Sequence, residues 1–223
     1  MIINTREHVL FIGDSIADCG RNKPFAQGVH GEMLGGGYVH LLGGWVQDLY
    51  PERCIRITNM GIGGNTIRHL KERWESDVVE QKPDWLSVMI GINDVWRQFD
   101  HPYWTDELVS PDVFTTTYRE VLSQVRSNLK RLIIASPFFL EPNRNDPMRK
   151  RMDQYSVLAR EMAEEFDAHF LDTQAAFDRY LEQGSPMALC ADRVHPSVAG
   201  HTLITQEYLK VLRVGPFEDG SET

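Results

Sequence analysis

The sequence lacks the marks of several large classes of protein. Its 223 residues include three cysteines, Cys19, Cys54 and Cys190, which lie far apart and form no Cys-x-x-Cys pair. This excludes a disulfide framework and a thiolate zinc site, and it suits a reducing compartment. No apolar run approaches the roughly 18 residues of a membrane span. The N-terminus carries charged residues and no signal-peptide pattern, so we expect a cytoplasmic protein without a membrane partner.

Basic residues are also scarce. Lysine and arginine total 23 against 32 aspartates and glutamates, which gives a net charge of −9. Nucleic acids bind basic patches, and residues 149–151 form the only basic cluster, so no nucleic-acid partner is expected. Hydrophobic residues make up 42% and charged residues 25%, as in ordinary globular proteins. We expect one domain over residues 1–223, with 214–223 as a mobile tail.

Apolar runs alternate with amphipathic stretches along the chain. Strands are predicted at His8–Ile12, Cys54–Thr58, Trp85–Ile90, Arg131–Ala135 and His169–Leu171. Helices are predicted at Tyr38–Leu49, Thr66–Glu80, Pro111–Val125 with Ser110 as N-cap, Pro147–Phe166 and Ser197–Leu212. Such alternation is typical of βαβ units, so we predict an α/β fold with a parallel sheet and helices on both faces.

Polar and glycine-rich segments follow the predicted strands, at the edge where ligands bind in such sheets. The first strand is followed by residues 13–15 (GDS), the second by 59–66 (NMGIGGNT) and the third by 91–94 (GIND). A further polar segment, residues 192–196 (DRVHP), lies near the C-terminus. A purely structural domain would not need this chemistry at its strand ends.

Three of these residues could form a nucleophilic centre. Ser15 can attack a substrate if a base reaches it, although a lone serine in this position more often caps a helix. The candidate base is His195. Asp192, three residues earlier, can hold the imidazole Nδ1 and leave Nε2 to take the serine proton. The alternative for this pair is a solvent-exposed loop contact, since Asp-x-x-His alone is a weak pattern.

Two other segments offer hydrogen-bond donors. Backbone N–H groups around Gly64 can face an anion or a developing oxyanion, and a phosphate loop is disfavoured because no lysine follows the glycines. Asn93 offers a side-chain amide, or it serves only as a turn residue. Asp14 and Asp94 flank these motifs and are interpreted as acceptors that fix the loops through backbone N–H groups.

Aromatic residues follow the third strand closely. The candidates to line a sugar- or acyl-binding cleft, with core or subunit contacts as the alternative, are Trp96, Phe99, Tyr103 and Trp104. Arg97 is either a substrate contact or part of a surface ion pair. His201 is expected on a helix surface, and the histidines lack ligand spacing, so no metal is expected. No Gly-x-Ser-x-Gly occurs, which speaks against the nucleophile elbow of α/β-hydrolases.

Together, the blocks GDS, GGNT, GIND and DRVH resemble, in order and spacing, those of the SGNH, or GDSL, hydrolase superfamily. The stretches FIGDSIADCGR, KPDWLSVMIGINDVWRQFD, DPMRKRMDQY and DRVHPSVAGH resemble the bacterial intracellular acetylxylan esterases of that superfamily. The resemblance covers essentially the whole chain. It implies a flavodoxin-like three-layer α/β/α sandwich with a five-stranded parallel sheet.

The resemblance also implies roles for individual residues. Ser15 would be the nucleophile, His195 the base and Asp192 the residue that orients it. The oxyanion hole would consist of the Ser15 N–H, the Gly64 N–H and the Asn93 side chain. The candidates for substrate contact are Asp14, Trp96, Arg97, Tyr103 and Trp104.

The implied activity is that of a serine carbohydrate esterase without cofactor or metal. It would remove O-acetyl groups from sugars, acetylated xylo-oligosaccharides in particular, through an acetyl-enzyme intermediate. The alternatives are a short-chain carboxylesterase, lipase or thioesterase, and a non-catalytic carbohydrate-binding protein. A homo-oligomer is also implied. Relatives can carry an aromatic residue just before the triad aspartate, and the Ala191 found here bears on the pocket rather than on the chemistry.

Overall fold

The structure is a computed structural model that describes residues 1–23, 31–100 and 108–217. One parallel sheet of five strands lies at its centre, in the order β2-β1-β3-β4-β5. The strands are β1 (His8–Gly13), β2 (Arg56–Gly61), β3 (Trp85–Met89), β4 (Arg131–Ala135) and β5 (His169–Leu171). This is the flavodoxin-like strand order, which reverses direction next to β1. Ligand sites in such sheets lie at that reversal.

Helices connect and cover the strands. They are α1 (Ser15–Asp18), α2 (Tyr38–Leu49), α3 (Ile67–Glu72), α4 (Ile92–Asp100), α5 (Pro111–Val125), α6 (Pro147–Glu165), α7 (Thr173–Leu181), α8 (Pro186–Leu189) and α9 (Val198–Leu212). Helix α2 packs against α9, while α5 packs against both α3 and α6. Because parallel crossovers are right-handed, the reversal beside β1 sends these two groups to opposite faces. The predicted three-layer sandwich is confirmed.

The sheet lies in the middle of the core, between the two layers of helices. All six residues of β1 and all five of β3 are buried, as expected for strands covered by helices on both faces. Within the described ranges, no helix combines the length and the apolar character needed to cross a membrane.

The second predicted helix is interrupted. Helix α3 has Thr66 as its N-cap and ends at Glu72, and a π-helical turn follows over Glu75–Val79. Trp74 and Val78 are nevertheless buried, at 1% and 0% exposure. The apolar spacing across both segments is therefore real, but it cannot reveal the break between them.

Shorter elements escaped prediction, and one strand starts late. Cys54 adopts a left-handed backbone conformation (φ 49°) after a 3₁₀ turn, so β2 begins only at Arg56. Helices α1, α4, α7 and α8 were not predicted, because they span nine residues or fewer. Too few turns are present in such helices to establish a periodicity.

The expected mobile tail does not begin at residue 214. Val214 is fully buried, and its N–H donates to the Leu209 carbonyl at 2.9 Å. The Gly215 N–H reaches the Tyr50 hydroxyl at 3.4 Å. Residues 218–223 lie outside the described part of the chain. The single-domain organisation stays a prediction.

Candidate active site

Ser15 lies at the carboxyl end of β1, on the first residue of α1. Asp14 caps this short helix by accepting the Ile16 N–H on Oδ1 at 2.9 Å. The preceding Gly13 packs so closely on β3 that a Cβ at this position would collide with the Met89 carbonyl. The nucleophile candidate therefore sits on a turn held tightly against the central strands.

The distant base candidate meets Ser15 in space. The Ser15 Oγ is 3.0 Å from His195 Nε2, and His195 Nδ1 is 2.7 Å from Asp192 Oδ2. The other carboxylate oxygen of Asp192 accepts the N–H groups of Val194 and His195, at 2.9 and 2.7 Å. With Nδ1 facing a carboxylate, Nε2 is left to accept the serine proton.

The ionisation of Asp192 suits this arrangement. Partial burial raises the pKa of the carboxyl, but the hydrogen bonds from the His195 side chain and from the backbone N–H groups of His195 and Val194 lower it further. The net pKa lies well below its usual range. Asp192 therefore remains ionised near neutral pH and can stabilise a positively charged imidazole.

The loop that carries Asp192 and His195 is anchored to the segment after β4. The Arg193 carbonyl accepts the Leu140 N–H at 3.0 Å, and the Arg193 guanidinium pairs with Glu141 at 2.5 Å. Arg193 itself has a left-handed backbone conformation, with φ 66°. These contacts place a loop from the C-terminal part of the chain over the end of β1.

The glycine-rich loop after β2 packs against the nucleophile turn. A Cβ built on Gly63 would lie 3.7 Å from Ser15 Cβ, and the Gly63 N–H donates to Asp18 Oδ2 at 2.9 Å. Gly64 adopts φ 81°, a conformation that favours glycine. Across the described part of the chain, the N–H groups of Ser15 and Gly64 have no protein acceptor. Both remain available to a ligand.

Asn93 follows β3 and is buried, at 2% exposure. Its Nδ2 donates one hydrogen to the Asn65 carbonyl at 3.0 Å, and its Oδ1 receives a weaker contact from Arg97 Nη2 at 3.4 Å. These partners fix which end of the amide is the donor. The second Nδ2 hydrogen can serve a substrate oxygen.

Asp14 and Asp94 lie behind these groups, each only 1% exposed. Asp94 Oδ1 accepts the Ile67 N–H at the start of α3, at 3.0 Å, much as Asp14 accepts that of Ile16. Burial raises the pKa of both carboxyls to about 7. The interpretation as loop-fixing acceptors fits these contacts. The expectation that Asp14 contacts substrate is wrong, because its carboxyl is enclosed by protein.

Of the other candidates for substrate contact, two lie beside the site. The Trp96 ring is 5.8 Å from the His195 ring between centroids, and the Arg97 guanidinium lies 5.1 Å from the Trp96 centroid. Arg97 also pairs with Asp100, so the ion-pair alternative is observed, and contact with substrate stays a prediction. Tyr103 and Trp104 lie outside the described residues.

The sequence did not reveal two buried groups around the site. The Cys190 thiol lies 3.3 Å from Asp192 Oδ1 and 3.1 Å from the His195 carbonyl. His201, expected on a helix surface, is instead buried at 3% exposure, and its Nδ1 accepts the Tyr38 N–H at 3.2 Å. Burial lowers its pKa to about 4. The only signal in the sequence for the contact between this thiol and Asp192 was that Cys190 lies two residues before Asp192.

A comparison with protein families decides the classification. Residues 11–203 match the GDSL-like lipase/acylhydrolase family. The chain belongs to this family. The resemblance found in the sequence is thus confirmed.

Individual proteins of this family are similar to this chain over nearly their whole length. The acetylxylan esterase of Geobacillus stearothermophilus is 50% identical over 210 residues, 94% of this chain and 95% of that protein. Its crystal structure has a TM-score of 0.92 over 95% of this chain and 96% of that one, at 49% identity. Catalytic mutants of the same enzyme, in which a serine, an aspartate or a histidine is replaced by alanine, match equally well, at 48% identity.

A second relative comes from an environmental source. It is an alpha/beta hydrolase enzyme named LAE5, from the metagenome of Lake Arreo, Spain. It is 43% identical and has a TM-score of 0.91 over 94% of this chain and 96% of that one.

Proposed function

We propose that this protein is a serine carbohydrate esterase that removes O-acetyl groups from sugars, with acetylated xylo-oligosaccharides as its substrates. The observation that carries the proposal is the relay from Ser15 through His195 to Asp192, with hydrogen bonds of 3.0 and 2.7 Å. The 50% identity to an acetylxylan esterase supports the substrate class.

In the first half-reaction, Ser15 Oγ attacks the acetyl carbonyl carbon while its proton passes to His195 Nε2. Asp192 stabilises the resulting imidazolium. The carbonyl oxygen becomes negatively charged and accepts hydrogen bonds from the N–H groups of Ser15 and Gly64 and from Asn93 Nδ2. These donors are already oriented, so no reorganisation is needed as charge develops.

The intermediate then collapses, and the bond between the acetyl carbon and the sugar oxygen breaks. His195 returns its proton to the leaving sugar hydroxyl, and the acetyl group remains on Ser15. In the second half-reaction, water attacks the acetyl-enzyme, and His195 first takes the water proton and then gives it to Ser15 Oγ. Acetate is released. Every proton transfer uses His195, and no cofactor enters the scheme.

The setting of the site suits a small acyl group. Trp96 lies against His195, so a bulky aromatic side chain borders the space next to the reacting atoms. We therefore propose a preference for acetyl over longer acyl groups. The three cysteines are free, which agrees with a reducing cytoplasm. A homo-oligomer remains a proposal that rests on the family resemblance.

Acetate release from a panel of acetylated mono- and oligosaccharides tests this function. Turnover of acetylated xylo-oligosaccharides by the wild type and its loss in Ser15→Ala are expected. A parallel series of aryl esters from acetyl to octanoyl reports the acyl preference. Octanoyl turnover equal to or above acetyl turnover would instead indicate a lipase or thioesterase. A non-catalytic sugar-binding protein would fail to react with a serine-directed phosphonate.

A further inference from the structure

Arg73 connects three segments that converge on the candidate site. It follows the last residue of α3, and its side chain is only 14% exposed. Its Nε donates to Asn65 Oδ1 at 2.8 Å, and its Nη1 donates to the Met60 carbonyl at 2.7 Å. Its Nη2 donates to the Gly13 carbonyl at 3.1 Å. One planar group thus holds the ends of β1 and β2 and the loop after β2.

Two of these acceptors belong to residues close in sequence to groups of the proposed mechanism. Gly13 lies two residues before Ser15, on the same tight turn. Asn65 directly follows Gly64, and its carbonyl accepts the hydrogen bond that orients the Asn93 amide. Asn65 therefore links Arg73 to the oxyanion hole: its side-chain oxygen accepts from Arg73, and its backbone carbonyl accepts from Asn93 Nδ2.

Arg73 occupies a position that is unfavourable for a charge. Burial lowers the pKa of its guanidinium, and Asp77, at 2.5 Å from Nη1, offsets only part of this effect. The other partners that hold the group are uncharged. Its fork of donors reaches acceptors in several directions, whereas a lysine would supply one flexible point charge. The geometry thus requires arginine rather than a positive charge alone.

We propose that Arg73 is a positioning residue for the oxyanion hole. Through Asn65 it sets the direction of the Asn93 amide, and through Gly13 it holds the Ser15 turn beside Gly64. This role rests on the proposed function, because it acts on the groups assigned to that reaction. Arg73 contacts neither substrate nor the reacting atoms.

The test compares Arg73→Lys with Arg126→Lys. Arg126 is a suitable control because it also donates to backbone carbonyls, those of Phe166 at 2.5 Å and Asp167 at 3.1 Å, far from the site. For Arg73→Lys we expect kcat to fall about 10- to 100-fold with little change in KM, less than the loss on removing an oxyanion donor. Arg126→Lys should retain wild-type kcat.

A double-mutant cycle separates positioning from a general structural effect. If Arg73 acts by orienting Asn93, then Arg73→Lys should cost much less in an Asn93→Ala background than in the wild type. Asn65→Ala, which removes the Nε acceptor, provides the same test if Arg73→Lys does not fold. A fall in thermal stability with unchanged kcat, or fully additive losses of kcat, would overturn the proposal.

The readout can be made independent of the sugar substrate. The rate at which a phosphonate labels Ser15 also depends on the oxyanion hole, so it should fall in Arg73→Lys and not in Arg126→Lys. If the wild type is labelled but does not release acetate from sugars, the proposed substrate fails while the role of Arg73 is still measured. If labelling of both variants equals that of the wild type, the role of Arg73 fails alone.

Discussion

The nucleophile and the base of the candidate triad are held by different kinds of structure. Ser15 and Asn93 follow central strands of the sheet, and the residues around them are buried, Asp14 at 1% and Asn93 at 2% exposure. Asp192 and His195 lie on a loop, with 47% and 46% of their side chains exposed. The same site therefore combines a buried half with a half that faces solvent.

The hydrogen bonds of the two halves differ in range. On the buried side, the Asn59 amide on β2 donates to the carbonyls of Ala17 and Leu34, and Asp94 reaches the start of α3. These bonds join distant parts of the chain. On the loop, Asp192 bonds to residues within three positions of it. The bonds that position Asp192 are therefore local, although Arg193 ties the same loop to Leu140 and Glu141, whereas the buried half depends on bonds between distant segments.

This difference fits what each half has to do. Donors that stabilise a developing charge act best when their positions are fixed before the reaction begins. The histidine, in contrast, exchanges protons with serine, sugar and water in turn, and needs only its tautomer and orientation. Substitutions should therefore separate the halves: changes in the loop should affect kcat alone, and changes in the buried half should affect stability as well.

Apart from Ser15→Ala, which removes the nucleophile, Asp192→Asn should produce the largest effect. The amide can hold the imidazole in the wrong tautomer, and kcat should fall by up to about 10⁴-fold. Because Asp192 is half exposed, the thermal midpoint should remain close to that of the wild type. Steady-state kinetics and a thermal melt measure both quantities. A near-normal kcat here, together with a severe loss in Asp14→Asn, would show that the wrong aspartate has been assigned to His195.

Asn93→Ala should have the next largest effect. It removes one preorganised donor, so kcat should fall about 10²–10³-fold while KM changes little. The Asn65 carbonyl also loses its partner, so stability should fall too, unlike in Asp192→Asn. Phosphonate labelling should be slower in Asn93→Ala and absent in Ser15→Ala. An unchanged kcat with a large rise in KM would mean that Asn93 binds the ground-state substrate.

The contrast between the halves also explains how much the sequence could predict. Five alternating apolar runs were sufficient for the parallel sheet, because buried strands are recognisable from local composition. The Asp192–His195 pair could be proposed because the two residues are only three positions apart in the sequence. Arg73 could not be found, since nothing in its own segment shows that Gly13 and Asn65 lie beside it. Its role depends on a fold that brings residues 13, 60 and 65 together.

The same limit applies to His201 and to the break after α3. His201 is buried beside Tyr38, a residue distant in sequence, whose N–H donates to its Nδ1. The apolar positions from Ile67 to Val78 all face the core, yet a change from α- to π-helical geometry separates them. Periodicity reports which face is buried, and it does not report how regular the helix is.

The smallest effect on activity is expected for Asp14→Asn, which tests the buried half through pH. Burial, together with the nearby Asp94 carboxylate, raises the pKa of Asp14 to about 7, from an ordinary value of 3.8. The native state therefore holds the proton more tightly than the unfolded chain between these two values. Wild-type stability should then fall as pH rises from about 4 to 7 through this group.

Asparagine keeps an acceptor for the Ile16 N–H and never ionises, so it removes this loss. Relative to the wild type, Asp14→Asn should be more stable at pH 8 than at pH 5 by at least about 1 kcal/mol, or roughly 2–4 °C in thermal midpoint. Thermal melts at both pH values measure the difference. Asp48→Asn, on the exposed face of α2, is the matched control, and its stability relative to the wild type should be the same at pH 5 and pH 8. If the stability difference between Asp14→Asn and the wild type is the same at both pH values, then Asp14 does not titrate between them in the folded protein, and burial does not raise its pKa to about 7.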